Sequence, residues 1–426
     1  DWWKEKLGVS WYTVSWISFI KGALLVLVIV ALTGCTIGEK RIKVFSVEDF
    51  AQYVKFLIVI ELMLVLLLFG VDSYIMRTKN KFSFNITIEF IKLNAAISIF
   101  ILLFIILIYS TNLISTSEFF LFCSLDAYLL FRTVEKLFAN YLIRTQQSKK
   151  FLKITLISSY SQLAIVLMAY YVGILGIASY FIILSLPLMI LILFLMTEMK
   201  NEEFSLSNKI VFKLKIDTIQ SSMKAAFPFL GKNIIGSINL YSSRIILAAF
   251  ATPFELAAYS FYLALYFKAV GLMSVVSRTF IPMMKDRIDK IGTIHSIVRK
   301  FELPYIFIII FTATILMIVY DNSLFQNMLT ILIKSEYLDM LDLGLIFIIC
   351  FFVSLATMIY DFWQYSLKNV AKKILTISTT IMFLSIIGYM LILQSYGTRE
   401  IALFYLFINI VMLIVSRMFF YQIKPS

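Results

Sequence analysis

The sequence predicts an all-α, polytopic membrane protein with twelve transmembrane helices, arranged as two six-helix lobes around a central cavity. The first observation is composition: of 426 residues, 61% are hydrophobic and only 15% are charged. A soluble domain is about half apolar and about a quarter charged, so this chain has more apolar surface than its own core can bury. The second observation is that the apolar residues fall into twelve runs of spanning length.

A spanning helix requires about 20 mostly apolar residues. The fourth run is the most polar of the twelve, because it carries Asp126, Arg132, Glu135 and Lys136. The predicted helices are roughly residues 11–34, 53–75, 87–109, 118–138, 152–173, 176–197, 225–250, 255–280, 302–320, 341–365, 374–394 and 400–421.

The distribution of Lys and Arg predicts the orientation of these helices. Basic residues accumulate in cytoplasmic connections. With both termini placed in the cytoplasm, most Lys and Arg lie in inner connections, which accounts for the net charge of +13 without nucleic acid as a partner. The outer connections then hold only Lys40, Arg41, Lys43, Lys334 and Arg399.

The longest inner connection divides the chain into two halves with six helices each. Because six is even, both halves enter the membrane in the same sense, and parallel repeats of this kind place binding sites near the midplane between them. The predicted domains are an N-terminal lobe at 1–197, a basic cytoplasmic linker at 198–224 and a C-terminal lobe at 225–426.

No motif in the sequence indicates an enzyme, a cofactor or a metal. The sequence has no phosphate-binding GxxxxGK[ST] loop and no DxD pair that would hold a metal-bound nucleotide sugar. It also has neither a GxSxG nor an HExxH motif. Three Cys are too few and too far apart for a metal cluster or a disulfide framework, and a single His rules out a His-rich site. We therefore expect transport rather than catalysis.

Eight basic residues within the predicted spans need an explanation, because a charge at a helix centre costs about 2.5–3.5 kcal/mol on insertion scales. Two of them have an acid three residues away on the same helix face, in the pairs Glu89–Lys92 and Arg132–Glu135. Those near helix ends can extend to the interface. The full set is Lys21, Lys55, Lys92, Arg132, Lys136, Lys232, Arg244 and Lys268.

Lys21 and Lys268 are the deepest of these cations, at about 15 Å from either helix end. Each should face either a water-filled cavity or a buried acid such as Glu61 or Asp126. Small residues such as Gly271 share a helix face with these lysines and favour the cavity. A cationic cavity suits an anionic ligand, and Lys or Arg at close range suits phosphate.

Polar and aromatic residues of the seventh and eighth predicted helices supply further candidates. Asn239 shares a helix face with Lys232. A tyrosine stripe has the spacing of one helix face and has two interpretations, stacking on sugar rings or packing between helices. The stripe consists of Tyr259, Tyr262 and Tyr266.

Two stretches of the sequence resemble a known family of transporters. They are FSVEDFAQYVKFLIVIELMLVLLLFGVDSYIMR at 45–77 and LYSSRIILAAFATPFELAAYSFYLALYFKAVGLMSVVSRTFIPMM at 240–284. The first is similar to the helix 1–2 junction and helix 2, and the second to the helix 7–8 junction and helix 8, of Wzx-type O-antigen flippases of the multidrug/oligosaccharidyl-lipid/polysaccharide (MOP) exporter superfamily. Twelve helices, inward termini and small outer loops match as well.

The resemblance implies two lobes around a cationic cavity and the movement of undecaprenyl-diphosphate-linked oligosaccharide across a bacterial inner membrane by alternating access. An O-antigen polymerase and a chain-length regulator are partners implied in the same way, beside membrane lipids. The family often has Arg where this chain has Lys. The residues implied to attract the diphosphate are Lys21, Lys268, Arg244, Lys232 and Lys55.

Two alternatives to this function stay open. One is an ion-coupled exporter of small molecules from the same superfamily. The other is an O-antigen polymerase or lipid-linked glycosyltransferase, although such enzymes usually carry a large outer loop that is missing here. In a transporter, H⁺ or Na⁺ is the expected coupling ion, and the candidate acids that bind it are Glu61, Asp126 and Asp361.

Overall fold

A computed structural model describes most of the predicted helices, which are numbered here in chain order. The described residues are 46–75, 80–144, 157, 161, 164–166, 168, 169, 171–173, 176–186, 189, 214–285, 299, 302, 307, 310, 311, 314, 335–364, 368–395 and 397–422. Predicted helix 11–34, and with it Lys21, lies outside them, as do most residues of 152–173 and 302–320.

Every regular element in the described part of the chain is helical, which confirms the predicted all-α class. The elements are α1 (Val47–Leu68), α2 (Val71–Ile75), α3 (Asn80–Ser110), α4 (Thr116–Arg144), α5 (Ile177–Leu186), α6 (Ile216–Phe250), α7 (Pro253–Lys285), α8 (Ser335–Leu338), α9 (Leu341–Gln364), α10 (Lys368–Ser395) and α11 (Thr398–Gln422). Several extend past their predicted apolar ends because polar residues continue the helix beyond the hydrocarbon region.

Three helices among the described residues combine the length and apolar composition needed to cross a membrane: Val47–Leu68, Phe84–Ser110 and Thr398–Tyr421. On α3, the side chains of Phe100, Leu103 and Leu107 are all more than half exposed. These residues lie three or four positions apart on one helix face, which is the arrangement of a surface that contacts lipid rather than water.

The described residues form two compact units. The larger unit comes from within residues 1–55 and 239–426, and the smaller unit from within 56–238. In the smaller unit α3 packs on α4, and in the larger unit α9 packs on α7 and α11. The predicted linker at 198–224 lies mostly outside the described residues, so the predicted lobe boundaries stay a prediction.

Capping boxes set the starts of two long helices. The hydroxyl of Thr252 accepts a bond from the Glu255 backbone N–H at 3.3 Å, and the Glu255 carboxylate accepts one from the Thr252 N–H at 2.9 Å. Ser115 and Glu118 make the same reciprocal pair before α4. Each box satisfies two backbone donors that the first helical turn leaves unpaired, and so stabilises a sharp helical hairpin.

In the larger unit, the Glu302 carboxylate joins its own helical segment to the C-terminal turns of α9 and α11. Glu302 accepts hydrogen bonds from the hydroxyls of Tyr360 at 2.7 Å and Tyr421 at 2.8 Å. Arg417 donates to both of its oxygens, at 3.1 Å and 3.0 Å. Four donors from two helices hold this carboxylate, so the cluster fixes the ends of α9 and α11 relative to residue 302.

The predicted helix 53–75 is broken between α1 and α2. Phe69 and Gly70 have φ angles of 49° and 73°, in the left-handed region. A Cβ on Gly70 would lie 2.5 Å from the Leu230 nitrogen on α6. Only glycine permits this close approach, which the apolar pattern of the sequence does not reveal.

Replacing Gly70 by Ala should lower the free energy of unfolding by about 1–3 kcal/mol, because the methyl group meets backbone at a strained φ. The measurement is thermal denaturation of the detergent-purified protein. Gly236→Ala on α6 is the matched control, since nothing lies within 4 Å of its Cβ position and alanine favours a helix. Equal midpoints for the two variants would contradict the assigned contact.

Candidate functional site

Arg244 is a buried cation inside the larger unit, 3% exposed. It lies on α6 about 9 Å from the helix end at Phe250. Its guanidinium carbon is 5.2 Å from the centre of the Phe267 ring on α7 and 6.0 Å from that of Tyr241. One terminal nitrogen donates to the Ser260 carbonyl at 3.3 Å. Aromatic faces and one carbonyl therefore surround the charge.

The charge of Arg244 has no counter-ion among the residues that the structure describes. No carboxylate there lies within 4 Å of the guanidinium, and its Nε has no hydrogen-bond partner. The hydroxyls of Ser243 and Tyr259 lie close to each other, and both, like that of Ser260, are buried without a hydrogen bond of normal geometry in the described part. An arginine stays protonated in proteins, so this is a permanent positive charge beside three hydroxyl groups.

Burying these polar groups costs free energy unless further hydrogen-bond partners or an opposite charge compensate them. Cation–π contacts contribute about 0.5–2 kcal/mol, which is less than the several kcal/mol that burying an ion costs. Buried polar atoms are nearly always satisfied by protein, water or a ligand. A guanidinium only donates, whereas a hydroxyl can donate or accept, so the partner that Arg244 lacks among the described residues is an acceptor.

The tyrosine stripe of α7 packs against other helices of the larger unit. Tyr262 donates to the Tyr337 carbonyl at 2.8 Å, and its ring lies over Gly344, where an added Cβ would be 2.9 Å away. The hydroxyls of Tyr266 and Ser354 are 2.7 Å apart. The packing interpretation of the stripe therefore accounts for its contacts, whereas its contact with sugar stays a prediction.

Asn239 has a different neighbour from the one its helix face suggests. Its side-chain oxygen accepts a hydrogen bond from the Ser385 hydroxyl on α10 at 3.3 Å. This bond joins α6 to α10 inside the larger unit. A contact between Asn239 and cargo also stays a prediction.

The other predicted cations are placed only in part. Lys55 is exposed on α1. Lys232 and Lys268 belong to α6 and α7, and Asp361 belongs to α9, but the side chains of all three lie outside the described residues, as does Lys21 entirely. The structure thus brings Arg244 and Tyr259 together and leaves the roles of the remaining cations as predictions.

Both ion pairs predicted from helical spacing are confirmed in the smaller unit. The Lys92 nitrogen is 2.9 Å from the Glu89 carboxylate, and Arg132 pairs with Glu135. Glu89 also accepts a bond from the backbone N–H of Lys215 at 2.9 Å. Each of these two cations therefore has an acid partner on its own helix, whereas Arg244 has none among the described residues.

Asp126 is the most buried of the candidate coupling acids that the structure describes. It is 6% exposed on α4, and its carboxylate accepts a hydrogen bond from Ser98 on α3 at 2.6 Å. No cation lies within 4 Å of it in the described part of the chain. Glu61 is half-buried on α1. An isolated acid of this kind can bind a proton or a small cation.

Sequence reasoning missed the surroundings of Arg244, namely Ser243, Ser260 and Phe267. The one signal was the run Ser242–Ser243–Arg244 within an otherwise apolar stretch. The facing residues come from α7, and no spacing rule connects them to Arg244 before the two helices are packed. No group of three His, Cys, Asp or Glu that would hold a metal occurs among the described residues.

Comparison with known proteins identifies the fold. No family model matches the chain, and no curated protein matches it. Among solved structures, a mutant of the Vibrio cholerae MATE transporter VcmN aligns with a TM-score of 0.63 at 14% identity, covering 99% of this chain and 98% of its own. An outward-facing multidrug resistance MATE family transporter of the MOP superfamily aligns at 0.61 and 12%, covering 95% and 92%.

A third solved structure is a MOP superfamily transporter from Pyrococcus furiosus, whose description reports a binding pocket of reverse polarity that suggests a different function. It aligns with a TM-score of 0.57 at 11% identity, covering 95% of this chain and 93% of its own. The chain therefore has the fold of the MATE transporters, which are multi-pass membrane proteins of the MOP superfamily. This agrees with the predicted twelve-helix architecture.

Arg244→Met should raise the thermal midpoint of the purified protein by about 2–4 °C, because it removes a buried charge for which the described residues provide no counter-ion. Arg132→Met is the matched control and should lower the midpoint, since it leaves Glu135 without its partner. The measurement is thermal denaturation in detergent without added ligand. A large loss of stability in Arg244→Met would instead make this arginine a structural residue.

Proposed function

We propose that this protein is a flippase that moves undecaprenyl-diphosphate-linked O-antigen oligosaccharide from the inner to the outer leaflet of a bacterial inner membrane. Both termini are cytoplasmic in this proposal, and the protein is a transporter rather than an enzyme. An O-antigen polymerase and a chain-length regulator would act on the same pathway as partners. The observation that carries the proposal is the buried Arg244, which has no counter-ion among the described residues.

The chemistry of Arg244 supports a phosphorylated cargo. A guanidinium presents planar pairs of donors that match phosphate oxygens, and such charge-assisted bonds are about twice as strong as neutral ones. Its Nε has no partner among the described residues, and the hydroxyls of Ser243, Tyr259 and Ser260 can also donate to phosphate oxygens. Lys21, Lys232, Lys268 and Lys55 complete the proposed diphosphate site.

Alternating access supplies the translocation step in this proposal. The cargo's diphosphate enters the cationic cavity from one leaflet and leaves to the other, while the lipid chain stays in the bilayer. Because binding must be reversible, the attraction must be moderate, and the aromatic rings beside Arg244 meet that need by partly compensating its charge. The Pyrococcus furiosus protein supports the premise that pocket polarity varies with function on this fold.

An ion-coupled exporter of small molecules is the second candidate. Two observations favour it: the multidrug transporters among the similar structures, and the buried acid Asp126. Cationic drugs, however, require an acidic cavity, and Arg244 repels them. We therefore place Asp126 in the coupling step, where it would bind H⁺ or Na⁺, rather than in drug recognition.

Arg244→Ala should abolish O-antigen display in a cell that lacks its own flippase, because losing a charged hydrogen-bonding group costs about 1.5–3 kcal/mol, or about 10- to 100-fold in affinity. Lys21→Ala and Lys268→Ala should act in the same direction. Display is measured by lipopolysaccharide gels, with membrane levels of each variant measured alongside.

Arg244→Lys is the control for charge and should retain part of the display. Full display from Arg244→Ala would overturn the cargo assignment. The exporter candidate is tested by overexpression in a drug-sensitive strain, where resistance to cationic drugs that disappears in Asp126→Asn would favour it over the flippase.

Asp126→Asn should remove the dependence of transport on an imposed ion gradient, because the amide keeps the bond to Ser98 but binds neither a proton nor Na⁺ strongly. The measurement is flipping of a fluorescent polyprenyl-diphosphate sugar in proteoliposomes with a pH or Na⁺ gradient. Glu118→Gln is the control, since the amide preserves the capping box outside the buried interior. Unchanged gradient dependence in Asp126→Asn would exclude this acid from coupling.

A further inference from the structure

A groove in the smaller unit lies beside the break between α1 and α2 and is distinct from the surroundings of Arg244. Its volume is about 700 Å³, within the usual size of ligand pockets. The first three turns of α6 form one wall, and Phe69 at the break forms part of the other. Its apolar lining includes Ile219, Met223 and Phe227, and its polar lining consists of Gln220 and Lys224.

From the length of α6 we infer that the groove lies at the level of lipid headgroups. Helix α6 has 35 residues, so it is about 52 Å long, whereas the hydrocarbon core of a bilayer is about 30 Å thick. The excess falls at its first turns, where Asp217, Gln220, Ser221 and Lys224 occur. The other end of α6 is apolar up to Phe250, so it provides no such polar stretch.

The groove has the two parts that a phospholipid requires. Phe227 is 65% exposed and its ring centre is 6.3 Å from that of Phe69, which provides an apolar surface for an acyl chain. Lys224 is exposed at the same place, and no carboxylate in the described part of the chain lies within 4 Å of its nitrogen. No acidic residue lines the groove.

Basic residues that follow α2 in the sequence favour an anionic headgroup. The stretch RTKNK at 77–81 carries three of them, a few positions after Phe69. Basic segments next to a membrane attract anionic lipids over zwitterionic ones. The apolar lining and Lys224 together therefore match an anionic phospholipid.

We propose that this groove binds one anionic phospholipid of the surrounding membrane, with its acyl chain against Phe69, Met223 and Phe227 and its phosphate on Lys224. The lipid is a resident of the protein rather than its cargo, so the inference does not depend on the flippase assignment. By filling the space between the α1–α2 break and α6, it would stabilise the contact at Gly70.

Native mass spectrometry of the full-length protein tests the proposal, with phosphatidylglycerol and phosphatidylcholine as the probes. The unaltered protein should retain one phosphatidylglycerol in preference to phosphatidylcholine. Lys224→Gln should bind phosphatidylglycerol about fivefold more weakly, since one basic residue near anionic lipid contributes that much. Lys224→Arg should restore the preference, and Phe227→Ala should weaken binding of both lipids.

Lys215→Gln is the matched control, because Lys215 is exposed at the start of α6 but does not line the groove. Equal losses in Lys215→Gln and Lys224→Gln would overturn the site in favour of diffuse surface charge. Equal retention of the two lipids would also overturn it, as would displacement of phosphatidylglycerol by undecaprenyl phosphate at equal concentration, which would assign the groove to a polyprenyl chain. Thermal midpoints of lipid-free variants confirm that each is folded.

Discussion

The central constraint on this molecule is a guanidinium buried in apolar surroundings without a counter-ion in the described part of the chain. Arg244 keeps its charge, and two aromatic rings and one carbonyl compensate it only in part. A protein that only needed stability would place an apolar residue there. In the proposed function, this charge supplies the affinity for an anionic cargo.

The two units differ in the buried charges that they contain and in the partners of those charges. In the smaller unit, Arg132 and Lys92 have acids one turn away, and Asp126 is a buried acid with a hydroxyl donor. In the larger unit, the described carboxylates such as Glu255 and Glu302 lie near helix ends and serve caps and ties. A buried acid in one unit and a buried base in the other would let a coupling ion and an anionic cargo use separate sites on one fold.

Hydrogen bonds at helix ends fix the helices that carry these residues. The Thr252–Glu255 box fixes the hairpin of α6 and α7, and so holds Arg244 opposite Ser260. At the opposite end, the Glu302 cluster joins α9 and α11. At the break between α1 and α2, the backbone of α6 lies so close to Gly70 that a side chain at this position would not fit. A groove for lipid beside that break would connect the state of the membrane with this packing.

The sequence by itself determined the all-α membrane class and the pairs Glu89–Lys92 and Arg132–Glu135. Apolar run length and the 3.6-residue period are local properties, so they need no knowledge of packing. Only the tertiary structure decided that Tyr262 and Tyr266 pack on α9, that Phe267 covers Arg244, and that α1 ends at Leu68. Each depends on which helix lies opposite, and contacts between distant segments of the chain leave no periodic signal in it.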